Sequence, residues 1–425
     1  MSLTCPSQDP SPACARPLNI LMNAGPWLAV PPHGYGGIEN VVATLVPELR
    51  ARGHRVVLAS VADSSLAVDD LVYAFDTGQF SRLAAPYNAS CGIAPAHLQA
   101  VVSAVRAAGA EGRRPFDLIH DHMEVIGPAV LGGLADGPPV LQTLHWDLRK
   151  HADFYGTFDG RGRVFFAGVS RAQIDRAPDN LAAQTIGYVP LAVAQTPRPP
   201  ASPSEREDHV LVLGRITPPK GCAVAIRLCK ERGLPLVLAG PVGGQPDAAA
   251  LEAALADPDS PVRGYPDVRY FLEEIAPHLD GDRVRWIGSV CGPEKDDLIR
   301  RARAVLFPLQ WEEPGGTAMV EALSLGTPVV GLARGVFPSL VDHGVTGWIA
   351  QSDVELASYL ERIEELDPVA CQRFARQRFS PEAMAASYES IYLEVLARAD
   401  WSAPSSGVGL EYRRQDMATA LAELS

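Results

Sequence analysis

The sequence predicts an α/β protein of two domains, each a parallel sheet covered by helices. Three observations carry this. Short apolar runs alternate with helical periods from about residue 18 to 193, and the same alternation restarts at 210. Between the two series lies 194–209, AQTPRPPASPSEREDH, which holds four prolines and few aliphatic residues. The length of 425 residues suits two or three domains at roughly 150 residues each.

In the first series, strands are expected at 18–22, 56–60, 118–120, 140–144, 164–168 and 187–189. The helix after the first strand shows its apolar stripe in Val41, Val42, Leu45 and Leu49. The stretch 194–209 reads as a semi-rigid interdomain linker. The second series places strands at 210–214, 236–240, 284–287, 304–308, 328–331 and 348–349. Strand–helix alternation in both halves argues for parallel sheets buried on both faces. Two such halves would place a ligand in the cleft between them, at the carboxyl ends of the strands. The expected domains are therefore 18–193 and 210–379. A last helix is expected over 380–398, with Ser380 as N-cap, Pro381 at its first position and Glu382 in its first turn. Met384, Tyr388, Ile391 and Val395 form its apolar stripe. Residues 1–17, with four prolines, read as a disordered tail lacking the basic and apolar regions of a signal peptide. Residues 400–425 read as a polar tail without an assigned role.

Composition excludes several classes. Apolar residues make up 47% and charged residues 20%, which is globular. Fifty acidic against 37 basic side chains give a net charge of −13 without a long basic run, which argues against a nucleic-acid groove. No uncharged apolar stretch reaches the length of a membrane span, so no integral membrane segment is expected. Seven irregularly spaced cysteines without CxxC suggest neither zinc ribbon nor disulfide framework, and a cytoplasmic setting fits. Cys222, Ile226 and Cys229 share one helical stripe and read as small core hydrophobes.

Three segments look built for a phosphorylated ligand. In Gly214-Arg215-Ile216-Thr217-Pro218-Pro219-Lys220-Gly221, a strand ends at Gly214 and Pro219 is placed to open a helix, with Lys220 in its first turn. Two cations beside a helix N-terminus suit a diphosphate, and the order is not that of a Walker A loop. In Glu313-Pro314-Gly315-Gly316-Thr317-Ala318-Met319-Val320-Glu321, Glu313 sits at a helix mouth and Glu321 within the second turn. Carboxylates accept hydrogen bonds from vicinal diols, and Gly315 and Gly316 let backbone approach a ligand. The third segment runs from Pro26 to Glu39, where His33, Tyr35, Gly36 and Gly37 join the first strand to its helix. It is not GxGxxG, and no acidic residue ends the second strand, so a dinucleotide fold is weakly supported.

His120-Asp121-His122 and His145-Trp146-Asp147 end two neighbouring strands. Metal binding by His120 and His122 lacks a further obvious ligand. His145 is the better substrate hydrogen-bonder. Asp257-Pro258-Asp259 and Asp280-Gly281-Asp282 follow no apolar strand and read as solvated turns.

Taken in order, Gly-Gly-Ile-Glu (36–39), Arg-Gly-His (52–54), His-Asp-His, Thr-Leu-His (143–145) and Gly-Val-Ser (168–170) open a pattern. It continues with Gly-Arg…Lys-Gly, Ile-Gly-Ser-Val (287–290), Glu-x7-Glu and Gly-Thr-Pro-Val (326–329). The whole resembles the retaining glycosyltransferases of family 4 over about residues 18–398. The resemblance implies the GT-B fold, two Rossmann-like domains facing each other across a cleft, with the last helix crossing back to the N-terminal domain. It implies that Arg215 and Lys220 hold a donor diphosphate and that Glu321 binds the nucleotide ribose. Glu313 and the Gly316–Thr317 backbone would hold the sugar, and the backbone near Val290 would meet the base. Where the family commonly carries an aromatic residue, this chain has Gly315, implying either a roomier sugar pocket or an unusual donor. Trp146, Asp147 and Arg149, with His33, Tyr35, His120 and His122, are read as acceptor-binding.

The expected reaction moves a sugar from a nucleotide diphosphosugar, a UDP- or GDP-sugar, to a small soluble acceptor. It proceeds with retention, by front-face attack, without metal or resident cofactor. His145, Arg215, Lys220 and Glu313 are the catalytic candidates. The alternatives are a nucleotide-sugar epimerase, which would consume donor without acceptor, a sugar phosphorylase, which would carry a pyridoxal chromophore, and a non-catalytic nucleotide-sugar-binding partner protein.

Overall fold

The computed structural model describes residues 16–34, 36–110, 115–134 and 136–399. Tyr35, the tail 400–425 and nearly all of the tail 1–17 lie outside the described residues. The described residues up to Pro190 and those from Pro381 onward form one compact unit, and Leu191–Ser380 form the other.

The first unit is built on seven strands: β1 (Asn19–Asn23), β2 (Arg55–Ser60), β3 (Asp70–Tyr73), β4 (Leu118–Asp121), β5 (Val140–Thr143), β6 (Val164–Gly168) and β7 (Thr185–Tyr188). They pair in parallel in the order β3-β2-β1-β4-β5-β6-β7. Every residue of β1, β4, β5 and β6 is buried, as a parallel sheet covered on both faces requires. The sequence reading missed β3, because this edge strand, Asp70-Leu71-Val72-Tyr73, has no buried residue and hence no apolar run.

The second unit holds β8 (Val210–Leu213), β9 (Leu236–Ala239), β10 (Val284–Trp286), β11 (Ala304–Phe307), β12 (Val329–Leu332) and β13 (Gly347–Ala350). Their order is β10-β9-β8-β11-β12-β13, again wholly parallel. Alternate residues feed two cores. Val210, Val212, Leu236 and Leu238 pack with Cys222, Ile226 and Cys229 on one face. Leu211, Val237 and Val305 pack with Met319, Val320 and Phe337 on the other. Burial pushes the Cys222 and Cys229 thiols up to about 12, so both are inert core residues.

The chain from 194 to 209 contains no helix or strand but is strapped to the second unit. Arg198 pairs with Asp297 at 2.8 Å and Arg300 with Glu205 at 3.2 Å, while Gln372 donates to the Arg198 carbonyl at 2.8 Å. Its prolines thus shape a surface strap, whose side-chain partners the local composition could not reveal.

The closing helix Pro381–Arg398 belongs to the first unit. Glu389, 3% exposed, accepts from Arg52 Nε and Nη2 at 2.9 and 2.6 Å and from His54 Nε2 at 3.2 Å. His54 Nδ1 accepts from the Leu18 N–H at 3.1 Å, so the proton sits on Nε2 and points at Glu389. The Arg-Gly-His segment is therefore a dock for this helix.

Candidate active site

Each sheet reverses its winding once, between β1 and β4 in the first unit and between β8 and β11 in the second. Chain segments leaving adjacent strands on opposite sides diverge there and open a crevice at the carboxyl ends. In the second unit the segments that flank it are 214–221 and 308–316, the two phosphate- and diol-binding candidates.

Gly221 brings them together. Its φ of 73° is left-handed, and a Cβ there would overlap the Pro308 carbonyl oxygen and stand 2.9 Å from its carbon. The Gln310 N–H donates to the Pro219 carbonyl at 2.8 Å, closing the contact. One expectation needs correction here. Pro219 and Lys220 lie in the short 3₁₀ turn Pro218–Lys220, and the helix begins only at Cys222, because left-handed Gly221 breaks the turn from the helix. Lys220 is thereby aimed across the crevice. Its Nζ lies 2.5 Å from Glu313 Oε2 and 5.3 Å from the centroid of the Trp311 ring. Arg215 lies exposed on the same loop, and its charge acts on Asp267.

Glu313 is fixed from behind. Its carbonyl accepts from the Val336 N–H at 2.8 Å, and Gly335, at φ 52°, passes so close that a Cβ would overlap the Glu313 backbone. Gly315 and Gly316 are buried. Gly316 precedes the helix Thr317–Ser324 with φ 67°, and a Cβ on it would stand 2.6 Å from Leu340 Cδ1. Gly316, its N-cap, has no side chain to meet the first N–H groups, which suits them to a ligand. Glu321, one turn on, is paired with Lys295 at 2.6 Å. Val290 packs into the same apolar cluster as Ala318. Lys295 was missed by sequence reasoning. It sits in a polar helix of mixed charge, Gly292–Arg301, and nothing along the chain names the carboxylate it meets.

In the first unit, Gly36 is buried and extended before the helix Gly37–Ala51, with its Cβ direction blocked by the Pro32 ring at 2.7 Å. Gly37 has open space around it, and His33 is exposed. Glu39 is buried within this helix, and burial raises its pKa above the usual carboxylate range.

Three of the residues read as acceptor-binding are corrected. His120 is fully buried, with Nδ1 2.7 Å from Tyr392 Oη and Nε2 2.8 Å from Thr143 Oγ1, so both nitrogens serve the closing helix and β5. His122 is 1% exposed, with Nδ1 2.8 Å from His145 Nε2 and Nε2 3.2 Å from Met22 Sδ. Trp146 packs in the first unit's core. Histidine and tryptophan at strand ends look alike in sequence whether they turn inward or outward. His145 is partly exposed, and burial of its ring holds its pKa down near 4, so it is neutral at pH 7. With Nε2 engaged by His122, its Nδ1 is the nitrogen left without a partner among the described residues. Asp147 pairs with Arg176 at 3.2 Å and accepts from the Arg149 N–H at 3.1 Å, and Arg149 itself is exposed. Gln173, also missed, donates to the Leu144 and Trp146 carbonyls at 2.9 and 2.8 Å and so sets the course of this loop.

Among the described residues no group of three or more His, Cys, Asp or Glu is arranged to hold a metal ion, and no helix is long and apolar enough to cross a membrane.

Two units, each a parallel Rossmann-like sheet, make up the fold of the GT-B glycosyltransferases. Residues 195–379 match the family model of glycosyl transferases group 1, and residues 35–182 match that of glycosyltransferase family 4. The chain belongs to the family 4 glycosyltransferases. It is 27% identical over 334 residues to a phosphatidyl-myo-inositol mannosyltransferase of Mycolicibacterium smegmatis, covering 75% of this chain and 78% of that one. It is 26% identical over 384 residues to a D-inositol 3-phosphate glycosyltransferase of a Nocardioides species, covering 78% of each. The solved structure of Anabaena HepE, in complex with UDP and glucose, superposes with a TM-score of 0.57 at 17% identity, over 88% of this chain and 99% of that one.

Proposed function

We propose that this glycosyltransferase takes its sugar from a nucleotide diphosphosugar and transfers it to a small soluble hydroxyl acceptor with retention at the anomeric carbon. The observation that carries the reading is the Lys220–Glu313 couple, held across the β8/β11 crevice by the Gly221–Pro308 approach. As the diphosphate departs, negative charge grows on its oxygens. Lys220, Arg215 and the uncapped N-terminus of helix Thr317–Ser324 stabilise that charge most in the transition state. Protein cations in this role make a metal unnecessary. Lys220 is paired with Glu313, and donor binding exchanges the partners. The diphosphate takes the ammonium, and Glu313 turns to the sugar hydroxyls. The departing phosphate oxygen accepts the proton of the attacking acceptor hydroxyl on the same face, so no separate carboxylate nucleophile is needed.

The HepE complex with UDP and glucose supports a UDP-sugar donor, and the two inositol-directed relatives support a polyol acceptor. Neutral His145 suits hydrogen bonding to an acceptor hydroxyl.

The test combines binding and turnover. UDP, GDP, ADP and dTDP are screened by thermal shift on wild type and Lys220→Ala, followed by donor consumption with inositol-type acceptors. One nucleotide is expected to raise Tm in wild type and lose its effect in the variant. Turnover should fall roughly 10²–10³-fold in Lys220→Ala. Unchanged turnover in Lys220→Ala, or donor consumed at the same rate without acceptor, would overturn the reading.

A further inference from the structure

Glu321 is met by a cation of the protein itself. Lys295 Nζ lies 2.6 Å from Glu321 Oε1, with both side chains about three-quarters buried at 24% and 23% exposure. The pair is held by its surroundings. Val290 and Leu298 flank Lys295 in sequence and pack with Ala318 in one apolar cluster, and Thr327 Oγ1 donates to the Ile299 carbonyl at 2.7 Å. The two helices, Gly292–Arg301 and Thr317–Ser324, therefore keep a set spacing, and the ion pair is part of that arrangement. Among the described residues Glu321 Oε2 has no partner.

We propose that Lys295 is a positioning residue for the donor's ribose. Resting on the reading of Glu321 as the ribose acceptor, it assigns each carboxylate oxygen one task. Oε1 is fixed by the ammonium, which holds the carboxylate in one rotamer. Oε2 is left to accept from a ribose hydroxyl. A carboxylate at the edge of a half-buried site otherwise loses rotamer freedom on binding, and Lys295 removes that cost beforehand. Lys295 acts through Glu321 alone and does not touch the base or diphosphate. It thereby sets how strongly the site distinguishes a ribonucleotide from a nucleotide lacking ribose hydroxyls.

The experiment measures dissociation constants of UDP and 2′,3′-dideoxy-UDP for wild type, Lys295→Met, Lys295→Arg, Glu321→Gln and the Lys295→Met/Glu321→Gln double variant. Thermal melts confirm that each is folded. In Lys295→Met, UDP affinity is expected to fall about tenfold while dideoxy-UDP affinity stays unchanged, with Lys295→Arg restoring most of the loss. In the Glu321→Gln background the lysine substitution should add nothing. Equal losses for both nucleotides, no loss, or additive losses in the double variant would overturn the proposal. If wild type binds neither nucleotide, nor GDP or ADP, the nucleotide-sugar reading itself fails. That outcome is distinct from a UDP site whose discrimination ignores Lys295.

Discussion

Replacing Gly221 by alanine perturbs the crevice without touching a charged group. The substitution carries two separable costs. A left-handed φ of 73° costs an alanine about 1–2 kcal/mol. The new Cβ would also overlap the Pro308 carbonyl oxygen, with backbone on both sides, so neither neighbour can yield by a rotamer change. Relief needs the 218–221 turn to withdraw by about 1 Å, which carries Lys220 away from Glu313, and a misplacement of that size typically costs about 10²-fold in rate. The expected result is a stability loss of about 2–4 kcal/mol together with a kcat loss near that of Lys220→Ala. Gly281→Ala is the control. Its φ of 77° carries the same strain, nothing stands within 4 Å of its Cβ direction, and it precedes β10 at the far end of the sheet. It should lose the 1–2 kcal/mol of strain and keep full turnover. Urea unfolding and donor–acceptor turnover on both variants read the two costs apart. Gly221→Ala with wild-type kcat, or Gly281→Ala with an equal loss of kcat, would refute the claim that the Gly221–Pro308 approach aims Lys220.

Three further outcomes are expected. Glu389→Gln weakens the dock of the closing helix and should lower unfolding free energy by about 2 kcal/mol, allowing for the partial exposure of Arg52, with turnover per folded molecule retained. His120→Ala strands the Tyr392 hydroxyl, leaves Thr143 with only its Tyr388 partner and should cost about 2–4 kcal/mol in a melt, with the acceptor KM unmoved; a selective rise in KM would restore His120 to the acceptor site. The first unit should be acid-sensitive. Burial holds His97 and His145 near 4 and His120 near 3, so stability present above pH 6.5 is lost as pH falls toward 4, when only the unfolded chain takes up these protons. Asp121, raised to about 7 by burial, opposes this, since its contribution grows as pH falls from 7 to 3.8. His54 and His122 are lowered by burial as well, while Glu39 is raised alongside Asp121, so five depressed histidines stand against two raised carboxylates and the net change is a loss of stability, read from chemical denaturation at pH 7 and pH 4.5.

The architecture was legible in the sequence, because strands inside a parallel sheet covered on both faces are written as apolar runs, and inner strands such as β1, β2, β8, β9, β11 and β12 carry one. The edge strands β3, β7 and β10 need no such run, and β3, with no buried residue, is the one the sequence reading missed. Sequence also marked the crevice, since Gly221 and Gly316 take left-handed backbone, the first against the Pro308 carbonyl and the second against Leu340, where other residues would clash. Which lysine meets which carboxylate was decided only by the tertiary structure. Lys220 and Glu313 lie 93 residues apart and Lys295 and Glu321 lie 26 apart, and pairing over such distances depends on strand order and helix spacing, which no local pattern encodes. The same holds for the histidines. His120, His122 and His145 end adjacent strands in similar local sequence, yet the closing helix, returning with Tyr388 and Tyr392, claims His120 and buries it. A side chain's residue type is written locally, but its exposure is set by what packs over it.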